Sequence, residues 1–271
     1  MDSRLTPATA RVAHESLRGR VEAARYTPGE VAEVVVPLAD LLAAPDGARD
    51  RQVLLGDGFT VIDREHGFAF GQAAKDGYCG WLRETVLGPP VGPTHWVAAP
   101  ASHIYRAPRV QAQETASLSL GARVRVTGTS GAFAETPLGF VPSAHLRPIG
   151  DWFTDPVDVA HQFLGSPYLW GGNSRAGLDC SGLVQAALLA CGWPCPADSD
   201  LQLALGQPVD QTGLMRGDLI FWKGHVAMIV DGEMMIHATA HGMTTRLEPT
   251  ARAIARIAAQ GGGPVTACRR P

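Results

Sequence analysis

The sequence predicts two small all-β barrels followed by an α+β domain. Residues 1–150 contain a weak internal repeat of short alternating strands separated by glycine and proline, a pattern typical of small barrels. From residue 151 onward, helical patterns come first and strand patterns follow, which is the order expected of an α+β domain. The chain has 271 residues, which is long enough for two or three domains.

The composition predicts a soluble globular protein and argues against several classes of partner. Hydrophobic residues make up 45% of the chain and charged residues 18%, and the net charge of −3 provides no basic field for nucleic acid. No apolar run approaches the roughly 18 residues of a membrane span. Residues 1–26 lack the apolar run of a secretory signal, so a cytoplasmic location is expected. No membrane or protein partner is predicted.

The cysteine count favours reduced thiols. Five cysteines are scattered along the chain, and an odd number in a chain of this length is not typical of a disulfide framework. Cys191 and Cys195 enclose Gly-Trp-Pro, but no second Cys or His pair follows at zinc-site spacing. No metal site is therefore predicted.

The internal repeat sets the predicted domain boundaries. Its two copies are offset by 63 residues, from Pro37 to Pro100, and each continues with a second proline, a Leu-Gly step, an alternating strand and a closing Gly-aromatic-aliphatic step. We expect the two barrels to span residues 26–90 and 91–150. Residues 1–25 have a weak helical pattern and are predicted to form a helical segment.

The last predicted domain, residues 151–271, begins with two helices and continues with strands. Apolar spacing predicts a helix over 155–165 that ends at Gly165, and another over 181–192 that ends at Gly192. The predicted strands are 218–222, 225–230, 233–238 and 244–249.

Cys180 lies at the first turn of the second predicted helix. The backbone N–H groups and the positive end of the helix dipole meet at that point. Both favour a thiolate, which is the nucleophilic form of cysteine. Asp179 precedes Cys180 at the position of a helix cap. A cysteine at a helix start is also common as a structural residue, so the assignment needs a base nearby.

Two histidines are candidates for that base and for a group that orients it. Asp231-Gly232 predicts a hairpin turn, across which residues whose numbers sum to about 463 face each other. His225 would then oppose residue 238, one position from His237. The two imidazoles are expected to meet only if a bulge or a diagonal pairing brings them to one face.

Five motifs occur in order within about 70 residues. They are PYLWGG (167–172), LDCSG (178–182), RGDLIFW (216–222), HVAMIV (225–230) and MIHA (235–238). Together they resemble the NlpC-type cysteine peptidase family, papain-like hydrolases of murein peptides, over residues 155–250. The resemblance implies a papain-like fold that needs no metal or organic cofactor. The family often has glycine where this chain has Ala227.

The resemblance also assigns catalytic roles. Cys180 matches the nucleophile, His225 the general base and acid, and His237 the polar residue that orients His225. Tyr168 matches the tyrosine beside the nucleophile, which is expected to contact the oxyanion together with the backbone N–H of Cys180.

The β repeat resembles tandem bacterial SH3-like domains. A subgroup of the family that carries such domains removes L-Ala-γ-D-Glu from murein peptides with a free N-terminal L-Ala. These γ-D-glutamyl-L-diamino acid endopeptidases are also called dipeptidyl-peptidase VI. In the subgroup pattern, Asp179 and Ser181 match the ammonium-binding pair, and Trp170 and Ser199 fall at further substrate-binding positions.

The first barrel is expected to add substrate-binding residues. GYCGW (77–81) resembles the subgroup's Gly-Tyr-x-Gly-Trp step, which implies that Tyr78 reaches the substrate ammonium. The subgroup also has an acidic residue in this barrel. Asp50 is the candidate, and Asp57 competes with it.

Two other functions remain open at this point. The first is an endopeptidase or amidase that cuts intact peptidoglycan and uses the SH3-like domains to bind the wall. The second is a binding module without catalytic activity. The sequence does not indicate whether the diamino acid is meso-diaminopimelate or L-lysine.

Overall fold

The computed structural model describes residues 1–271, which divide into two compact units, residues 1–149 and 150–271. None of its helices combines the length and the apolar character needed to cross a bilayer. The strands of the first unit are β1 (Val12–His14), β2 (Arg25–Thr27), β3 (Glu30–Val34), β4 (Leu38–Leu42), β5 (Arg49–Leu54), β6 (Gly58–Glu65), β7 (Phe68–Ala73), β8 (Cys79–Arg83), β9 (Leu87–Gly88), β10 (His95–Val97), β11 (Ala101–Tyr105), β12 (Glu114–Ser119), β13 (Arg123–Val124), β14 (Gly128–Ser130), β15 (Phe133–Thr136), β16 (Gly139–Pro142) and β17 (Leu146–Pro148).

The first unit contains two successive groups of antiparallel strands. Strands β3 to β9, here called the first β unit, form a seven-stranded sheet in the order β5-β4-β8-β7-β6-β3-β9. Strands β10 to β17, the second β unit, form a three-stranded sheet, β13-β10-β17, and a five-stranded sheet, β12-β11-β16-β15-β14. Neither β unit contains an α-helix.

The internal repeat is present in the backbone hydrogen bonds of the two β units. The N–H of Leu55 donates to the carbonyl of Pro37 at 3.3 Å, and the N–H of Leu120 donates to the carbonyl of Pro100 at 3.3 Å. The pairs β4–β5 and β11–β12 each contain one register shift. The second β unit therefore repeats part of the strand pairing of the first.

The two β units share a hydrophobic core. Leu54 and Leu55 of the first pack against buried residues of the second, which are Val97, Ile104, Leu118, Ala122, Val124 and Val141. The N–H of Arg123 donates to the carbonyl of Leu55 at 2.7 Å. Gly56 follows with φ +78°, and a Cβ at this position would lie 2.6 Å from the carbonyl oxygen of Arg123. Only glycine fits this close approach without displacing the backbone.

The prediction of a helical segment over residues 1–25 is wrong. Residues 3–5 and 15–17 form single 3₁₀ turns, and β1 pairs with β2 in parallel. Arg11 pairs with Asp63 at 2.9 Å. Val12 is buried in a cluster with Ile62, Phe68, Phe70, Cys79 and Trp81. These tertiary contacts outweigh the weak helical pattern of the segment.

The second unit combines four helices with a six-stranded antiparallel sheet. Its elements are α1 (Pro156–His161), β18 (Asn173–Ser174), β19 (Gly177–Leu178), α2 (Cys180–Ala190), α3 (Ser199–Gln202), β20 (Gln207–Pro208), β21 (Leu219–Trp222), β22 (His225–Ile229), β23 (Met234–Thr239), β24 (Thr244–Pro249), α4 (Thr250–Ala259) and β25 (Ala267–Arg270). The sheet order is β20-β25-β21-β22-β23-β24. Helix α2 packs against α1, β22 and β23. The predicted α+β class of this unit is confirmed.

Helix α1 is shorter than the predicted helix over 155–165. Asp155 caps it by accepting the N–H of Val157 at 2.8 Å. The helix ends at His161, whose ring Nδ1 lies 2.8 Å from the carbonyl oxygen of Val157. The following residues continue in tight turns as far as Gly165, which has φ +78°.

The hairpin that carries the two histidines differs by one residue from the predicted register. Ile229 pairs with Met235, so the numbers of facing residues sum to 464 rather than 463. The turn has three residues, 231–233, because the Asp231 carboxylate accepts the N–H groups of Glu233 and Met234. A shift of one residue moves a side chain to the opposite face of a strand. His225 and His237 therefore share a face, and no bulge is needed.

Candidate active site

Cys180 is the first residue of α2. Its side chain is 7% exposed. Because α2 packs against β22 and β23, the cysteine's helix lies on the two strands that carry His225 and His237. The thiol stands at the helix end where N–H groups and the helix dipole favour negative charge.

The side chain of Asp179 stabilises the turn at the start of α2, where Cys180 lies. Its Oδ1 accepts the N–H of Gly182 at 2.6 Å and the hydroxyl of Ser181 at 3.1 Å. Its Oδ2 accepts the N–H of Gly171 at 2.9 Å. The carboxylate thus caps α2 and fastens the Gly-rich segment 170–172 to the start of that helix.

Tyr168 lies beside the nucleophile candidate. It forms an isolated parallel bridge with Leu178, and its backbone N–H donates to the carbonyl of Met243 at 2.9 Å. Burial, followed by the charges of Cys180 and Asp179, raises the pKa of Tyr168 to about 12. The phenol is therefore protonated at neutral pH and can donate a hydrogen bond to a developing oxyanion.

The two histidines are hydrogen bonded to each other. Nε2 of His225 lies 3.0 Å from Nδ1 of His237, and the ring centroids are 5.2 Å apart at an interplanar angle of 62°. The ring of Trp222 packs against His225 with centroids 5.6 Å apart. His237 is 0% exposed, whereas His225 is half-buried. The inner ring therefore restricts the orientation of the outer one.

Two residues that sequence reasoning missed extend this chain. Nε2 of His237 lies 3.1 Å from Oε2 of Glu248, a buried carboxylate on β24. Arg256 on α4 donates to both oxygens of Glu248, from Nε at 2.9 Å and from a terminal nitrogen at 2.7 Å. Finding Glu248 from the sequence would have required the β23–β24 register, in which His237 pairs with Arg246.

Both imidazoles are neutral in the folded protein. Burial, followed by the neighbouring His237, lowers the pKa of His225 to about 3. Burial likewise lowers the pKa of His237 to about 4, against the opposing effect of Glu248. Arg256 holds the pKa of Glu248 at about 2. At neutral pH the site thus contains a carboxylate and two imidazoles, each able to accept a proton.

These pKa values predict that stability falls on acidification. Because the folded pKa of each histidine lies below its ordinary value of 6.5, the unfolded chain binds more protons below that pH. Stability should be full above about pH 6.5 and decrease toward about pH 4.5. Protonation of Glu248 contributes to this loss of stability only below about pH 4.5, the ordinary pKa of a glutamate side chain. Urea unfolding across this interval measures the effect.

A histidine variant provides the comparison. His237→Gln should flatten the pH dependence of the unfolding free energy, whereas His66→Asn should not, because the His66 side chain is 83% exposed. Equal slopes in the wild type and in His237→Gln would contradict the assignment. The charged groups that face His237 are Glu248, Arg246 and Arg256, and they remain in both variants.

Three of the other thiols in the chain are poor nucleophiles. None of the five cysteines forms a disulfide. Burial raises the pKa of Cys79 to about 12 and that of Cys191 to about 11, so both are protonated at neutral pH. Burial also raises the pKa of Cys268.

The remaining predicted residues of the second unit lie near the start of α2. Trp170 directly precedes Gly171 and is 70% exposed, which is unusual for a tryptophan. Ser199 begins α3 and is half-buried. Nε2 of Gln202, on the same helix, donates to the carbonyl of Ser181 at 3.0 Å, so α3 is tied to the turn around Cys180.

Three predicted residues belong to the first unit. Tyr78 is 4% exposed, and its N–H donates to Asp76 at 3.0 Å. Asp50 lies on β5 and is half-buried. Asp57, the competing acid, is buried, pairs with Lys75 at 2.9 Å and accepts the N–H of Leu54 at 2.9 Å. These bonds give Asp57 a structural role within the first β unit, and the roles of Tyr78 and Asp50 stay predictions.

The fold and the site of the second unit define a class of protein. A cysteine at a helix start, packed on antiparallel strands that carry a hydrogen-bonded histidine pair, is the arrangement of a papain-like cysteine peptidase. Residues 165–256 match the NlpC/P60 family, and residues 41–87 match the bacterial dipeptidyl-peptidase Sh3 domain. The chain therefore contains an NlpC/P60 domain preceded by an SH3 domain of this bacterial type.

Curated relatives match much of the chain. A gamma-D-glutamyl-L-lysine dipeptidyl-peptidase of Bacillus subtilis is 30% identical over 189 residues, which cover 63% of this chain and 63% of the relative. The matched region is thus less than two thirds of that relative's length. Dipeptidyl-peptidase 6 of Lysinibacillus sphaericus is 26% identical over 243 residues, covering 77% of this chain and 88% of the relative.

A solved structure shares the fold. The crystal structure of an NlpC/P60 family protein from Bacillus cereus superposes with a TM-score of 0.74 at 24% identity. The superposition covers 89% of this chain and 99% of that chain. At this level of identity the similarity supports the fold alone.

Proposed function

We propose that this protein is a cysteine peptidase that hydrolyses the γ-D-Glu–diamino acid bond of murein peptides with a free N-terminal L-Ala, releasing L-Ala-γ-D-Glu. The observation that carries the catalytic part is the 3.0 Å bond between His225 and His237, on strands that pack against the helix headed by Cys180. A nucleophile, a base and a group that orients the base are the three parts that covalent catalysis needs.

The proposed mechanism uses all three parts. Cys180 gives its proton to His225, and the thiolate attacks the amide carbonyl to form a tetrahedral oxyanion. The N–H of Cys180 and the hydroxyl of Tyr168 stabilise that charge, because both are donors in a site of low polarity. His225 then protonates the leaving amine, and water hydrolyses the thioester. His237 holds His225 in position throughout.

The names of the relatives support the proposed bond. Two of them act on a gamma-D-glutamyl-L-lysine linkage by name, and a third is a dipeptidyl-peptidase. A dipeptidyl-peptidase needs a subsite for the substrate ammonium. We assign that subsite to Asp179 and Ser181, whose oxygens converge beside Cys180. Trp170 and Ser199 complete the proposed binding residues in this unit.

The context of the reaction follows from the substrate. In intact murein the L-Ala amine is bonded to the sugar, so a peptide with a free amine has already been released. The proposed role is therefore recycling of released peptides, with the cytoplasm as the proposed location. We also propose that the second β unit is a second SH3-like barrel, because it repeats the strand pairing of the first.

The test compares one tripeptide in two forms. L-Ala-γ-D-Glu-L-Lys and its meso-diaminopimelate analogue should each be examined with a free and with an acetylated amine, and the products identified by mass spectrometry. We expect release of L-Ala-γ-D-Glu from the free peptides and hydrolysis at least about tenfold slower after acetylation, because a charge-assisted hydrogen bond is lost. Equal cleavage of both forms would refute the ammonium subsite, and clearing of purified sacculi would favour an enzyme of intact peptidoglycan.

A further inference from the structure

A continuous line of hydrogen bonds runs from the outer histidine into the core of the second unit. It passes from Nε2 of His225 to Nδ1 of His237, at 3.0 Å, and from Nε2 of His237 to Glu248, at 3.1 Å. Arg256 ends the line with two bonds to the Glu248 carboxylate. Three strands and α4 each contribute one member, so the geometry depends on the packing of the whole unit.

The line allows only one arrangement of protons. Glu248 is ionised and can only accept, so the Nε2 of His237 must carry a hydrogen. A neutral imidazole has one N–H, which makes the Nδ1 of His237 an acceptor. The hydrogen between the rings therefore belongs to Nε2 of His225. The Nδ1 of His225 is left with a lone pair.

We infer that Glu248, clamped by Arg256, is a positioning residue that sets the tautomers of both histidines, so that Nδ1 of His225 is the atom that takes the proton of Cys180. The inference deepens the proposed function and rests on it for the identity of the nucleophile. In the step concerned, the S–H bond breaks, the Nδ1–H bond forms, and the electron pair of the broken bond stays on sulfur. The negative charge of Glu248 also stabilises the imidazolium that results.

A second carboxylate–arginine pair in the same sheet provides the control. Asp218 is as buried as Glu248, and Arg270 donates to its two oxygens at 2.8 Å each. Asp218 accepts a backbone N–H from Met215 instead of facing a histidine. Removing its charge therefore disturbs a buried ion pair of the same kind without touching the imidazoles.

The direct test reads the tautomers by nitrogen-15 NMR. Cys180→Ala protein with labelled histidine should show hydrogen on Nε2 and none on Nδ1 in both rings. Adding Glu248→Gln should produce a mixture of tautomers at His237, because an amide can accept from Nε2 or donate to it. Adding Asp218→Asn should leave the spectrum unchanged. Hydrogen on Nδ1 of His225, or fixed tautomers in Glu248→Gln, would overturn the inference even if the protein cut no peptide at all.

Kinetics supply the second readout. In Glu248→Gln, we expect kcat on the free tripeptide to fall about 10- to 100-fold with KM within about threefold, and Asp218→Asn to change neither by more than about threefold. The limb of the pH profile that reports His225 should move to lower pH, because the charge of Glu248, which raises the pKa of His225, is lost while Arg256, which lowers it, remains. Glu248→Asp, which keeps the charge, should recover part of kcat. An unshifted profile in Glu248→Gln contradicts the assigned role.

Discussion

Replacement of Cys180 by alanine is expected to lower tripeptide hydrolysis by about 10⁴-fold or more with little change in stability. The substitution removes one sulfur atom from the first turn of α2 and leaves the cap, the histidine pair and the sheet in place. Steady-state rates and urea unfolding measure the two quantities.

The matched control lies at the other end of the same helix. Cys191 follows the last residue of α2, is buried, and has a pKa of about 11. Cys191→Ala should keep the activity within about twofold while costing about 1 kcal/mol for the lost packing. If Cys180→Ala retained more than a few per cent of the activity, or if Cys191→Ala abolished it, the assignment of the nucleophile would be wrong.

Asp179→Ala is expected to lose both stability and activity. The loss of a helix cap costs about 1 kcal/mol, and the orphaned N–H of Gly171 costs roughly 1–3 kcal/mol more. We therefore expect the unfolding free energy to fall by about 2–4 kcal/mol. Activity should fall about 100-fold or more, because segment 170–172 is no longer fixed beside Cys180.

Asparagine at this position separates the cap from the charge. Asp179→Asn keeps an oxygen for the N–H of Gly182 but places the amide NH2 opposite the N–H of Gly171, so only the cap, about 1 kcal/mol of the stability lost in Asp179→Ala, should be retained while activity still falls. Asp155→Ala, which removes the cap of α1, should cost stability alone. Wild-type kcat/KM in Asp179→Asn would show that the carboxylate has no part in substrate binding.

The residues predicted best from the sequence are those whose roles depend on local patterns. The start of α2 at Cys180 follows from a cap residue and an apolar period, and both are readable within a dozen residues. The strands 225–229 and 234–239 follow from alternation and an Asp-Gly turn. The order of the five motifs then indicates the family resemblance, and the NlpC/P60 match over residues 165–256 confirms that resemblance.

The residues that were missed depend on register and tertiary contact. His225 and His237 share a face because the hairpin turn has three residues instead of two. The Asp231 side-chain hydrogen bonds that favour the longer turn cannot be deduced from the sequence pattern. Glu248 becomes visible only when β23 is aligned with β24. The local pattern of residues 1–25 predicts a helix because the contacts that determine their conformation, such as those of Val12 with Phe68 and Phe70, are with residues distant in the sequence.

Because the two β units share a hydrophobic core, we expect that neither is stable without the other. Because Leu54 and Leu55 are buried among residues of the second β unit, a cut in the connecting segment 89–94 would expose apolar surface on both fragments rather than release two finished modules. The pair should melt in one cooperative transition. A gene fusion that carries one β unit without the other would expose part of this apolar core, so the two units have to be transferred together.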